Sequence, residues 1–424
     1  MSRILLIITL LCFSLGSFAQ KLSIDSLWAS AADYEKLKQA NINLSLANLN
    51  IKAEKLGRLP LIYAEGNVQR NLITATTPVP AIAFNPNAAP GEILPLKFAT
   101  DWNAKGGLQF SVDLFNPERN LAIKTAELDR KSTALDLEKE TRDWKKNATS
   151  AYAKVVLSAN QYLEALTDSA RYAKIVALVG ERQKAGRATL IELNNAKQEL
   201  INKQTQLQEA YRVLQVANLD LSNYADTRKY NTLSSSIEEI VSKLKQGDKN
   251  LQLEQLKIDQ EKNSIQLANL KREALPTLTL NAFYGSQYYS NSFKLWNNEN
   301  WYGNSYVNVG VRIPISEAVN RSLKKKQLGL ENQVLLSKYR EEQGLDANNI
   351  SARQLNIVQA ENVLKNNKAI EAIAAENLIL VQDQYQAGRI LLTVLNEELS
   401  AHFKKKQQVW QAEYDYLLAI LETL

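Results

Sequence analysis

The sequence has very few residues that could bind a metal through sulfur or imidazole. Among 424 residues there is one cysteine, Cys12, and one histidine, His402. Cys12 lies within an apolar run near the N-terminus, so the rest of the chain has no thiol for a disulfide or a metal. A lone histidine offers a zinc ion almost no ligands. We therefore expect no metal site and no cofactor.

Glycine and proline are also scarce, with 15 and nine residues, and they cluster in a few places. Long stretches without either residue predict long uninterrupted helices. No phosphate-binding loop, nucleophile elbow or paired catalytic acid and base stands out, so we expect that the protein is not an enzyme. The 51 Lys and Arg exceed the 45 Asp and Glu by six, and these charges are scattered along the sequence. Such a pattern argues against nucleic acid binding.

Long apolar runs are missing except at the N-terminus. The run from Ile4 to Gly16 follows Arg3 and precedes Ser17-Phe18-Ala19. This order is typical of a secretory signal peptide, here predicted over residues 1–19. No later stretch of about 18 apolar residues follows, so an ordinary helical membrane protein is not expected.

Two segments about two hundred residues apart are versions of one sequence. Residues 184–194 read KAGRATLIELN, and residues 386–396 read QAGRILLTVLN. Ala, Gly, Arg, two Leu and Asn coincide at a constant offset of 202 residues. The chain is therefore expected to contain an internal duplication.

Four segments alternate apolar and polar residues, which predicts β-strands with one apolar face. They are residues 60–70, 105–115, 276–289 and 303–315. Between the first two strands, residues 71–103 contain five prolines and predict a long irregular loop.

Each strand pair precedes a long helix that turns back at an Ala-Gly-Arg sequence. The turns are predicted at residues 185–188 and 386–389, and such short connections make each helix pair an antiparallel hairpin. The first long helix would measure about 100 Å at its ordinary rise per residue. The chain then divides into a first repeat at 20–224, a linker with one short helix at 225–248, and a second repeat at 249–424. Each repeat consists of a helix, two strands and a hairpin.

Strands of about ten residues with strict alternation are typical of strands that span a membrane. A soluble sheet packed on helices would alternate too. The signal peptide, the consistently polar second face and aromatic residues near the strand ends favour the membrane; these aromatic residues are Tyr63, Trp102, Tyr284, Tyr288, Tyr289, Trp296, Trp301, Tyr302 and Tyr306. Because open sheet edges do not occur in lipid, further copies must complete a barrel, at least two and naturally three.

The duplicated order of these elements resembles the TolC-like outer membrane efflux family. The resemblance rests on the turn Tyr385-Gln-Ala-Gly388-Arg389 followed by Val394-Leu395-Asn396, on its first-half counterpart at residues 182–194, and on the Leu-Pro before strands one and three. It implies a mainly α fold with a transmembrane β part: a trimer with a 12-strand β-barrel continuous with a periplasmic α-helical barrel.

The resemblance also implies a function and a location. The protein would be the outer membrane exit duct of a tripartite efflux or type I secretion system in a Gram-negative bacterium, with a long periplasmic extension. Its partners would be a periplasmic adaptor protein, an inner membrane pump and outer membrane lipids. Whether drugs, metal ions or polypeptides pass through is left open.

Two groups of site residues follow from the resemblance. The tips expected to dock the adaptor are Ala185, Gly186, Arg187, Ala387, Gly388 and Arg389. The periplasmic gate is expected at Tyr385, Arg389, Thr393, Asn396 and Asn194. Many relatives have two aspartates where Thr393 and Asn396 stand here, so we expect a weak preference for cations.

Other interpretations remain open from the sequence. A periplasmic coiled-coil scaffold or adaptor without a pore is the alternative function, although two hairpins and two strand pairs favour the channel. The lysine triplet 324–326 is expected to be a solvated surface or a contact with phospholipid headgroups, and a second triplet at 404–406 is expected to be solvated.

Overall fold

The structure is a computed structural model that describes residues 20–227, 230–244, 247, 249–315 and 318–424. The predicted signal peptide at residues 1–19 lies outside the described residues. Within the described ranges the helices are α1 (Ile24–Ala29), α2 (Glu35–Leu56), α3 (Arg119–Lys184), α4 (Leu190–Ser222), α5 (Ile237–Lys243), α6 (Leu251–Arg272), α7 (Ala318–Gln386) and α8 (Leu392–Leu421). The strands are β1 (Gln20–Leu22), β2 (Leu61–Arg70), β3 (Thr76–Pro80), β4 (Ile93–Lys97), β5 (Trp102–Phe115), β6 (Tyr230–Leu233), β7 (Thr277–Ser290) and β8 (Trp301–Arg312).

One compact unit consists of Ser45–Ser132 and Leu256–Lys338. Its centre is an antiparallel sheet in the order β2-β5-β7-β8, so each predicted strand pair is a hairpin and β5 joins β7. The β5–β7 ladder runs from Trp102 opposite Ser290 to Phe115 opposite Leu278, with one irregularity after Asp113. The outer edges of β2 and β8 have no partner strand among the described residues.

The segment between β2 and β5 is more ordered than its prolines suggested. Instead of an irregular loop, residues 71–103 contain the paired strands β3 and β4, with Pro78 opposite Pro95. In a two-stranded ribbon each strand has one outward edge, where a missing N–H breaks no ladder hydrogen bond. The prolines therefore fit a strand here. β5 also begins earlier than predicted, at Trp102.

Within the described residues, the other compact unit consists of residues 20–44, Thr133–Gln255 and Tyr339–Leu424. In α3, Trp144, Ala148 and Val155 are buried, as their spacing predicts. Further steps of three and four residues from Val155 lead to Leu166 and predict that it is buried, but Leu166 is exposed and its neighbour Ala165 is buried. Trp144, Val155 and Leu166 are spaced by eleven residues, whereas the buried Trp144, Ala151, Ala165 and Tyr172 follow a seven-residue repeat, so the two series differ by one residue at this point.

The linker folds onto this second unit. The predicted short helix is α5, whose Ile237 and Ile240 are buried with α1 and α3. β6 of the linker pairs with β1 in parallel, a pairing that no sequence pattern indicated. The buried Tyr152 hydroxyl donates to the Leu22 carbonyl (2.8 Å) and accepts from the Ser235 amide (2.9 Å). One side chain of α3 therefore fixes both chain segments.

Candidate functional site

The four-stranded sheet has one apolar and one polar face. Directly opposed residues of antiparallel strands point to the same face. The register places Ile62, Phe110, Ala282 and Val307 in one row, and Val112, Leu280 and Val309 in another. Ile62 is 66% exposed and Val307 is 73% exposed. An apolar face of this kind, uncovered in one chain, requires an apolar environment.

The opposite face carries connected polar side chains. The Asn281 amide oxygen accepts from the Ser111 hydroxyl (2.8 Å), and the Asn281 amide nitrogen donates to the Asn308 amide oxygen (3.3 Å). Lys105 lies 3.5 Å from a Glu65 carboxylate oxygen. Because its side chains are polar and bond to one another, this face is suited to line an aqueous passage.

Two glycines on the polar face allow an aromatic ring to lie flat on the sheet. A Cβ atom at Gly107 or Gly285 would lie 2.7 Å from the Phe283 ring and closer still to the neighbouring backbone. The Lys105 ammonium lies 4.1 Å from the centre of the Phe283 ring. Glycine is therefore required where β5 and β7 approach under this ring.

Aromatic side chains gather at the loop ends of the strands. Trp102 packs against Phe293 with ring centres 4.6 Å apart, and Tyr288 packs against Trp301 at 5.5 Å. Tyr288 itself is buried and donates to the Ser292 carbonyl, whereas Trp296 is 76% exposed. Among the aromatic residues predicted to lie at the membrane interface, Tyr288 therefore stabilises the loop after β7. Trp296 is exposed and could contact an interface.

Both hairpin turns have the same backbone geometry. Gly186 and Gly388 have φ of 70° and 71°, a region that favours glycine. In the first turn the Arg187 amide donates to the Arg182 carbonyl (2.7 Å); in the second, the Arg389 amide donates to the Gln384 carbonyl (2.9 Å). These bonds satisfy the last carbonyls of α3 and α7, as in a Schellman motif.

The two returning helices begin differently. Thr189 caps α4, because its hydroxyl accepts from the Glu192 amide while the Glu192 carboxylate accepts from the Thr189 amide. At the equivalent position before α8, Leu391 makes no side-chain cap. The first amides of α8 therefore lack the side-chain acceptor that those of α4 have.

The predicted tip residues are all exposed. Ala185, Gly186 and Arg187 are exposed in the first turn, as are Ala387, Gly388 and Arg389 in the second. Among the residues that the structure describes, the Arg389 side chain makes no hydrogen bond or ion pair. Within one chain, the surface of both turns is therefore exposed and not covered by other described residues.

Tyr385 contacts a different arginine from the one in its own turn. Its ring is buried, and the Arg182 guanidinium lies 4.7 Å from the ring centre and donates to the Tyr385 carbonyl (3.4 Å). Burial raises the pKa of Tyr385, and the Arg182 charge partly opposes that shift. Arg182 was not singled out from the sequence. Its place in the last turn of α3, where a cation favours the helix dipole, was the available signal.

The remaining gate residues differ in exposure. Thr393 and Asn194 are exposed, whereas Asn396 is half-buried and its amide oxygen is buried without a hydrogen bond. Beneath them lies a core shared by the two hairpins, formed by Tyr172, Ile175, Val179, Ala196, Leu378, Tyr385, Leu392, Leu395 and Leu399. The structure thus brings the two duplicated segments together around one core.

A buried charged cluster near this core was missed in the sequence. Asp168 is 1% exposed and accepts from Arg171 (2.6 Å), and Lys203 Nζ lies 3.2 Å from its other oxygen. The ammonium of Lys203 also lies 5.3 Å from the centre of the Tyr172 ring. Burial, together with the Asp168 charge, raises the pKa of Tyr172 to about 12. A polar residue on a helix gives no sequence signal that distinguishes such burial from a solvated face.

Neither a metal cluster nor a membrane-spanning helix is found in the described part of the chain. No three His, Cys, Asp or Glu side chains there are grouped so that they could hold a metal ion. His402 instead lies 3.2 Å from a Glu371 oxygen. None of the helices within the described ranges combines the length and the apolar character needed to cross a bilayer.

No protein-family profile and no curated protein matches the sequence. Solved structures match its fold. VceC, an outer membrane protein of Vibrio cholerae, has a TM-score of 0.69 with 94% of each chain covered and 13% identity. The CmeC outer membrane channel of Campylobacter jejuni has a TM-score of 0.66, covers 94% of this chain and 84% of its own, and is 16% identical.

The open state of the MtrE outer membrane channel of Neisseria gonorrhoeae matches equally well. Its TM-score is 0.67 at 13% identity, over 94% of this chain and 87% of its own. The chain has the fold of these solved outer membrane proteins. The fold expected from the repeats is therefore confirmed for the single chain. At such identities the channel fold is shared while individual side chains differ, so the role of each site must come from its own geometry.

Proposed function

We propose that this protein is the outer membrane channel of a tripartite efflux or type I secretion system. The observation that carries the proposal is the sheet of an outer membrane channel fold with one uncovered apolar face and one connected polar face. Such a sheet suits lipid on one side and a water-filled passage on the other. An inner membrane pump would supply the energy, and the duct itself would be passive.

Three copies would complete the passage. The free edges of β2 and β8 carry backbone groups that a lipid environment leaves unpaired, and pairing β8 of one copy with β2 of the next satisfies them. Three copies give a 12-strand barrel in the outer membrane, followed by an α-helical barrel in the periplasm. The polar row of Ser111, Asn281 and Asn308 would then face the lumen.

The hairpin turns are proposed as the docking site for a periplasmic adaptor. The support is that both turns keep the same Schellman geometry and expose the same Ala-Gly-Arg residues. In the trimer, Tyr385, Arg389, Thr393, Asn396 and Asn194 are proposed to form the periplasmic gate. The Arg389 side chain makes no hydrogen bond or ion pair within the described part of one chain, so it is available to a neighbouring copy or to the adaptor.

Disulfide crosslinking tests the ring. The only cysteine, Cys12, lies in the predicted signal peptide, so introduced pairs are unambiguous. Ile62→Cys in β2 combined in turn with Val307→Cys, Val309→Cys or Val311→Cys in β8 samples three registers. Because β5 and β7 separate β2 from β8 within one chain, only different chains can be linked. We expect one register to give linked dimers and trimers in outer membrane fractions.

The matched control places both cysteines on the central strands. Phe110 and Ala282 are directly opposed within one chain, so Phe110→Cys with Ala282→Cys should give only monomers. The purified trimer should also conduct ions in a planar bilayer. A soluble periplasmic protein that yields monomers with every pair would instead support the scaffold or adaptor without a pore.

Docking is tested at the second turn. Gly388→Val forces a branched side chain into a left-handed conformation and adds bulk to the exposed tip. We expect export to be lost while trimers still reach the membrane. Gly344→Ala is the control, because Gly344 lies inside α7 and a Cβ there meets nothing within 4 Å. Normal export by the Gly388 variant would contradict docking at the tips.

A further inference from the structure

The net positive charge of the chain comes from the segments where the sheet strands meet the helices. We define the basic belt as the ten-residue segments on the helical side of the four sheet strands: 51–60, 116–125, 267–276 and 317–326. By sequence these segments contain eleven Lys and Arg and four Asp and Glu, a net charge of +7, whereas the whole chain carries +6. The excess of Lys and Arg over Asp and Glu thus belongs to one region of the fold, although only eleven of the 51 cations lie there.

Contacts show that these segments lie side by side. Over their described residues, all four belong to the same compact unit. Arg119 donates to the Gly57 carbonyl, and Arg272 donates to the Pro117 carbonyl (3.2 Å). Lys324 Nζ lies 3.9 Å from a Glu273 carboxylate oxygen. The contacts link the first segment to the second, the second to the third, and the third to the fourth.

Much of this charge is not neutralised inside the protein. Lys271, Lys325 and Lys326 are exposed, and none of them makes an ion pair with another described residue. The triplet at 404–406 differs, since Lys406 pairs with Glu164 and Lys405 bonds to Gln408. Exposed cations that lie close together repel one another. Because these lysines have no carboxylate partner among the described residues, an anionic partner could relieve that repulsion.

The belt directly follows an apolar surface. β8 exposes Val307, Val309 and Val311, and the chain continues with Ile313 and Ile315, which is 83% exposed. The lysine triplet 324–326 begins nine residues after Ile315, within the first turns of α7. An apolar stretch followed at once by cations is the order of hydrocarbon and headgroup layers at a membrane surface.

We propose that the basic belt binds the phosphates of anionic phospholipids in the leaflet next to the helices. The inference rests on the proposed function, because it needs the strands to span the membrane. Lysine is suited to this role, since its long stem can lie along apolar surface while its ammonium reaches the phosphate layer. Arg119 and Arg272, which bond to neighbouring backbone, hold the belt together instead of facing lipid.

Native mass spectrometry of the purified full-length protein in neutral detergent tests this. The probes are phosphatidylglycerol, which carries a net negative charge, and phosphatidylcholine, which has the same phosphate but no net charge. We expect about a tenfold preference of the wild type for phosphatidylglycerol, most of it lost in K324Q/K325Q/K326Q. K404Q/K405Q/K406Q, with the same charge change elsewhere, should keep the preference. K324R/K325R/K326R should keep it too, which separates loss of charge from misfolding.

Two results would overturn the proposal. One is equal binding of both lipids by a wild-type protein that conducts in bilayers, which leaves the channel function intact. The other is complete displacement of phosphatidylglycerol by millimolar inorganic phosphate, which would identify a site for free phosphate. A protein that is not in the outer membrane and does not conduct would instead refute the proposed function itself.

Discussion

At the scale of single residues, Tyr152 shows how one hydroxyl can organise a segment with no regular pattern of its own. It is fully buried, and it bonds to both the N-terminal strand and the linker. Burial raises the pKa of its hydroxyl, so the group stays neutral and keeps its proton as a donor. The position of β1 and β6 therefore depends on a side chain of a distant helix.

Replacing Tyr152 by phenylalanine should loosen this attachment. The Ser235 amide would lose its partner, whereas the Leu22 carbonyl would keep its bond from the Ser234 amide (3.0 Å). A buried polar group left without a hydrogen bond costs about 1–3 kcal/mol. We expect faster hydrogen exchange at the Ser235 amide and a lower midpoint of thermal unfolding. Tyr162→Phe is the control, because Tyr162 is half-buried beside Tyr211 and its hydroxyl makes no hydrogen bond to another described residue. Unchanged exchange at Ser235 would contradict the assigned role.

The turn glycines were predictable from the sequence, whereas Arg182 as the partner of Tyr385 was not. A left-handed residue between two helices leaves glycine as the favoured choice, and the duplication marked both positions. Which arginine reaches Tyr385 depends on how the hairpins pack across their shared core, which is a tertiary property. For the same reason the sequence could not show that Asn396 has a buried amide oxygen.

At the scale of elements, the two hairpins differ in whether a side chain caps the start of the second helix, α4 or α8. Thr189→Ala removes the capping box of α4 and should cost about 1 kcal/mol of local stability, seen as faster exchange of the amides at 191–193. Leu391→Ala at the matching position of α8 removes no cap and should leave exchange there unchanged. Equal effects in the two hairpins would show that the cap is irrelevant.

Helices α3 and α4 are joined by the buried pair of Asp168 and Lys203. Asp168→Asn leaves the buried Lys203 ammonium without its partner and should destabilise the protein by roughly 3–5 kcal/mol. Lys203→Met should cost less, because Asp168 keeps its pair with Arg171. The double variant should be less destabilised than the sum of the two, because no lone charge remains. Thermal unfolding of the four proteins measures this coupling, and simple additivity would argue against an energetic link.

The long helices and sheet strands were predictable because each repeats its residue pattern over many positions. Ten or more residues of alternation identified β2, β5, β7 and β8, and long runs without proline and with few glycines identified α3 and α7. β1 and β6 are only three and four residues long, too short for a period to be visible. β3 and β4 were hidden by their prolines, which a two-stranded ribbon tolerates.

At the scale of the whole molecule, the neutral residues of the proposed gate set the expected ion selectivity. With Thr393 and Asn396 at the gate, a reconstituted trimer should show only weak cation preference in bilayer recordings. Thr393→Asp places three exposed carboxylates in the trimer and should raise that preference. Thr393→Val, similar in size but uncharged, should not. A strong cation current blocked by divalent ions in the wild type would contradict a neutral gate.

The pairing of β5 with β7 has a consequence for how the proposed ring is assembled. Of six seams between neighbouring hairpins in such a ring, three are already closed inside the chains, in a register fixed over the length of the two strands. The other three are copies of one contact, β8 against β2. A substitution that weakens this contact acts at all three junctions between chains, so a small loss at each adds up to a large loss of ring stability. A similar substitution between β5 and β7 matters less for assembly, because those two strands belong to one covalent chain.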